Sequence, residues 1–93
     1  MFWNCDDLTT LDLSSFDTRK VTDMSDMFYD CNALTTIYVS DTWSTTNVTS
    51  SSNMFSKCTK LVGGNGTAYN SSYTDKTYAR IDTASTPGYF TAK

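Results

Sequence analysis

Histidine, glutamate and glutamine are missing altogether from these 93 residues, and proline occurs once, at Pro87. Without histidine no side chain titrates near neutrality in its ordinary state, and aspartate is the only carboxylate left for acid–base work. No base stands beside a serine or cysteine nucleophile, so catalysis is not expected and no catalytic residue is assigned. Basic residues are few: seven Lys and Arg face ten Asp, for a net charge of −3. That balance argues against nucleic acid and anionic membrane surfaces as partners. Long apolar runs are absent as well. Stretches such as Ile37-Tyr38-Val39 are far too short to insert in a bilayer, and no charged segment leads into an apolar one as in a secretion signal. Any such signal is expected outside this chain. With Glu and Gln gone, local preference passes to residues that favour turns, caps and strands. A chain this short is one domain or part of one, and buries only roughly 60–65% of its unfolded surface.

What the chain does have is 17 Thr, 12 Ser and a phrase that returns. Met1-Phe2 matches Met27-Phe28 and Met54-Phe55; Cys5 matches Cys31 and Cys58; Leu8 matches Leu34 and Leu61. Each column steps by 26 and then 27 residues. Leu11 and Leu13 map onto Ile37 and Val39, Phe16 onto Trp43, and Val21 onto Val48. Apolar character is kept while the residues between drift, the pattern of units that bury one face against their neighbours.

Within one unit, Thr10–Ser14 and Thr36–Ser40 alternate polar and apolar, which predicts two short strands. Leu11, Leu13, Ile37 and Val39 would point inward, and Thr10, Asp12, Ser14, Thr36, Tyr38 and Ser40 outward. Val21, Met24, Met27, Phe28, Cys31 and Leu34 follow at helical spacing, with Thr22 placed as N-cap and Asp23 in the first turn. The fold expected is therefore an α/β repeat. It is a short leucine-rich-repeat-like solenoid with parallel strands on one face and helical or irregular return segments. A C-terminal β-rich cap closes it.

The phrase Leu8-Thr9-x-Leu11-Asp12-Leu13-Ser14-x-Phe16-Asp17-Thr18-x-x-Val21-Thr22-x-Met24-x-x-Met27-Phe28-x-x-Cys31 resembles the leucine-rich repeat of BspA-type bacterial surface proteins. With its looser second copy it covers residues 1 to about 62. The tail is similar to the segment that closes such arrays. The resemblance implies an exported, non-enzymatic protein of the bacterial cell surface that acts in adhesion.

Three cysteines in one column, Cys5, Cys31 and Cys58, read as a ladder of small buried thiols, or as a disulfide between Cys5 and Cys31 with awkward side-chain vectors. No second ligand set accompanies them, so neither zinc nor another metal or cofactor is expected. Gly64-x-Gly66 lacks the rest of a phosphate loop and reads as a turn. Asn47-Val48-Thr49, Asn65-Gly66-Thr67 and Asn70-Ser71-Ser72 match the glycosylation pattern, as a Thr- and Ser-rich chain often would by chance. The aspartates lack the spacing of a calcium loop and read as caps and turn formers.

Residues 1–64 are expected to form about two and a half units, and residues 65–93 the cap of the same domain. Thr77–Asp82 and Tyr89–Thr91 would be its strands. Beginning in mid-phrase, the chain reads as the C-terminal piece of a longer array with further repeats upstream. Its expected function is protein binding or adhesion through the exposed face of Thr10, Asp12, Ser14, Thr36, Tyr38 and Ser40. The partner would be a surface protein or glycan of a host or neighbouring cell. The rival expectation is a spacer with no ligand of its own.

Overall fold

Thr10, Leu11 and Asp12 pair in parallel with Thr36, Ile37 and Tyr38, one 26-residue step along the chain. In the computed structural model, which describes residues 7–93, these are strands β1 (Thr10–Asp12) and β2 (Thr36–Val39). A third strand, β3 (Phe90–Ala92), pairs in parallel with the other edge of β2, giving the order β1-β2-β3. Strands β1 and β2 are short because a turn follows each at once. The Asp12 carboxylate accepts from Ser14 N at 2.9 Å, and Trp43 N donates to Ser40 O at 3.2 Å.

The expected leucine-rich-repeat-like solenoid with helical returns does not form. Among the described residues there is no α-helix, only one 3-10 turn at Lys76–Tyr78 and three short parallel strands. The chain closes into one globule of 28 × 26 × 25 Å. Two physical reasons account for the difference. First, the segment expected to be helical is a run of i→i+3 turns: Met27 N to Met24 O, Tyr29 N to Asp26 O, Cys31 N to Phe28 O, Leu34 N to Cys31 O. Asp26 and Asp30 sit at φ 57° and 60°, left-handed positions that interrupt any right-handed helix. The intervening N–H groups of Met24, Asp26, Phe28 and Asp30 donate instead to Ser50, Ser52, Met54 and Ser56, 26 residues along. Thr22 is not an N-cap: its carbonyl accepts from Thr49 and Ser50.

Second, no third copy of the strand is laid down. Val62 N reaches Thr35 O at 3.0 Å, but the chain then turns back, with Gly63 N on Thr67 O and Val62 bridged antiparallel to Ala68. The place beside β2 is taken by β3 from the tail. The strand expected over Thr77–Asp82 is also corrected, since it holds the 3-10 turn and a single bridge at Ile81.

Hydroxyl groups explain the Thr- and Ser-rich composition. Thr35 Oγ1 donates to Thr9 O, Ser40 Oγ to Ser14 O, Thr42 Oγ1 to Phe16 O and Thr18 Oγ1 to Ser44 O, each across 26 residues and at 2.7–3.0 Å. At Ser14, Phe16 and Ser44 they satisfy carbonyls beyond the strand ladder, and at Thr9 the hydroxyl adds to the N–H groups of Thr35 and Thr36.

One apolar cluster fills the interior. Leu34, Ile37, Val39, Met54, Phe55, Leu61, Tyr89 and Phe90 are fully buried, and each such side chain contributes about 1.5–3 kcal/mol relative to exposure. Trp43 packs edge-on to Phe90 with centroids 4.8 Å apart and donates its indole N–H to Ala79 O. The tail is thereby bound to the second copy.

Candidate functional site

Period-2 alternation puts Ile37, Val39 and Phe90 in the core and leaves the other sheet face to polar side chains. Register lines up Thr10 with Thr36, and Asp12 with Tyr38 and Thr91. Of the six face residues expected from the sequence, Thr10, Asp12, Thr36 and Tyr38 are thus neighbours on adjacent strands. Ser14 and Ser40 lie just beyond the strands. Ser40 Oγ is committed to Ser14 O at 2.7 Å and to Thr42 Oγ1 at 2.9 Å, so this end of the face is framework.

A seventh residue dominates the face and was not foreseen. Lys93, two positions beyond Thr91, anchors its N–H on Val39 O and returns its side chain across the sheet. Its ammonium lies 5.3 Å from the Tyr38 ring centroid and donates to Asp12 Oδ2 at 2.7 Å. The Lys93 ammonium, with Ser14 behind it, holds the Asp12 carboxyl well below the usual carboxylate range. Asp12 in turn raises Lys93. The only signal in the sequence was the alternation of Phe90-Thr91-Ala92-Lys93, which places Thr91 and Lys93 on one side.

Other groups are bound into the structure. Asp82 is buried, and its carboxylate accepts from Asn65 N, Thr67 N, Thr67 Oγ1 and Gly88 N at 2.7–3.2 Å. Burial pushes its pKa up, but the hydrogen bonds from Thr67, Gly88 and Asn65 outweigh that and leave it lowered. Cys31 and Cys58 are fully buried thiols. Cys58 donates to Phe28 O at 2.9 Å, and burial pushes its pKa up to about 12. Cys5, with Met1 and Phe2, lies outside the described residues. Among those described, no group of three or more Cys or Asp is placed to hold a metal ion. An open cleft of about 230 Å³ is lined by Phe16, Val21, Met24 and Met27, beside Asp17 and Asp23. Arg19 pairs with Asp17 through two bonds and lowers its pKa to about 2. No helix of the described residues is long and apolar enough to cross a membrane.

The fold and face define a small parallel-sheet globule with a polar surface and a buried, satisfied interior. The chain belongs to the family described as Mycoplasma protein of unknown function, DUF285, which matches residues 1–87. No curated protein and no solved structure matches it.

Proposed function

We propose that this chain is a non-enzymatic module of a bacterial cell surface that binds a protein or glycan of another cell through its exposed sheet face. The observation that carries the reading is the row Asp12, Tyr38 and Thr91, held in register on three parallel strands. A rigid sheet presenting an aromatic ring among short polar side chains suits an extended, shallow contact. Tyrosine anchors such contacts at low entropic cost. The resemblance of the repeated phrase to BspA-type surface proteins points the same way.

The test is binding of the immobilised chain to host matrix proteins, mucin glycans and neighbouring bacteria, with wild type and Tyr38→Ala compared. Tyr38 is half-buried on the surface, so the substitution is expected to leave the melting temperature nearly unchanged. Binding should weaken by about tenfold, or about 1.4 kcal/mol. Absence of any ligand, or equal binding by the variant, would instead favour a spacer.

A further inference from the structure

We infer that Tyr38 and Asp12 form a receptor for a cationic side chain of a binding partner, and that Lys93 is the chain's own occupant of it. The inference rests on the sheet face being the binding surface, and it names the chemistry that face takes. A carboxylate oxygen 2.7 Å from an ammonium, and an aromatic ring centred 5.3 Å from the same nitrogen, are two independent attractors for one cation. They come from β1 and β2, so their spacing is set by the Asp12↔Tyr38 register and not by loop conformation. The occupant is weakly held. The Lys93 and Asp12 side chains are 52% and 47% exposed, and an ion pair so open to water and salt is readily exchanged.

Charge favours the exchange. The whole chain carries −3, so a basic segment is drawn to it. Departure of Lys93 leaves the Asp12 carboxylate beside the exposed part of the Tyr38 ring, the arrangement an incoming lysine or arginine would complete. Thr91, beside the ring within the row, and Thr36, two residues before it on β2, supply hydroxyls to the rest of the partner. Because Lys93 is tethered, it competes at a high effective concentration and limits binding by a lone cation. It therefore acts as a selectivity device: partners that contact the face elsewhere as well can displace it.

The test is titration of acetylated, amidated tetralysine into the ¹⁵N-labelled 93-residue chain, read by amide shifts. Lys93→Ala, which keeps the backbone bond to Val39 O, should bind about fivefold more tightly than wild type. The largest shifts should fall at Asp12, Tyr38 and Thr91. On the Lys93→Ala background, Asp12→Asn or Tyr38→Ala should erase the gain. Asp26→Asn should keep it, since it removes the same charge at an exposed left-handed position that Asn tolerates. No gain in Lys93→Ala, or equal loss from Asp26→Asn and Asp12→Asn, would overturn the site in favour of diffuse attraction. If Tyr38→Ala still weakens binding to a matrix protein while tetralysine gains nothing, the cation site alone falls. If neither responds, the face falls with it.

Discussion

Phe28 and Phe55 stand one repeat step apart in the chain and lie stacked in the structure, centroids 5.4 Å apart and planes within 11°. Matching positions of the two copies have become physical neighbours, so their energetics should be coupled. Phe28→Leu and Phe55→Leu should each cost about 1–2 kcal/mol in urea denaturation. The double variant should cost less than the sum by about 0.5–1.5 kcal/mol. Strict additivity would show that the stack contributes only as buried area.

Asp82→Asn should destabilise the fold by about 2 kcal/mol, because four donors converge on the carboxylate and an amide cannot accept from all of them. The loss should appear as a lower urea midpoint at unchanged slope. A neutral variant would mean that water replaces the carboxylate at Gly88 and Thr67.

Acid should weaken the protein. Asp12, Asp17, Asp23, Asp75 and Asp82 all have pKa values lowered from an ordinary 3.8. Between that value and the lower native ones, the unfolded chain binds more protons than the folded chain. Stability is therefore fully present above about pH 5 and falls as pH drops through 3.8 toward 2. Urea midpoints should be similar at pH 7 and 5.5, already lower at pH 4, and clearly lower at pH 2.5. A midpoint that rises in acid would contradict the native hydrogen bonds of these carboxylates.

Two glycines should respond differently to a methyl group. At Gly63 a Cβ would fall on the Gly88 carbonyl oxygen and 2.7 Å from Asp82 Cβ, so Gly63→Ala should cost about 3 kcal/mol. Gly66 has open space around it but lies at φ 94°, so Gly66→Ala should cost only about 1 kcal/mol of backbone strain. Comparable losses in thermal melts would show that the Gly63–Gly88 approach is looser than described.

Cys58 should resist alkylation. With its pKa pushed up to about 12 by burial, almost no thiolate exists at pH 8, and the sulfur is fully enclosed. Iodoacetamide, followed by peptide mass mapping, should modify Cys58 slowly in buffer and rapidly in urea. Fast native labelling would mean that this part of the core opens readily.

Much of the arrangement was legible because the columns of the repeat carry physical meaning. Leu11 opposite Ile37, the inward set Leu13, Ile37 and Val39, and the outward Tyr38 follow from a constant step and an alternation of two. The return segment was misread for a definite reason. Successive i→i+3 turns put Met24, Met27, Phe28 and Cys31 on one side as a helix would, so spacing alone does not separate the two. Asp26, Asp30, Asn53 and Lys57 in the left-handed region decide it, and an Asp or Asn at these sites hints at that conformation only once it is known.

The sequence by itself determined the parallel register and the polar composition of one sheet face, since each depends only on residue type and separation along the chain. Tertiary structure decided which segment occupies the second edge of β2, that Asp82 gathers Asn65, Thr67 and Gly88, and that Lys93 reaches Asp12 across 81 residues. Those contacts join parts of the chain with no common period. They arise because the tail must cover the apolar surface left open after Leu61, and it does so by pairing with the edge of β2 beside Tyr38 and Val39.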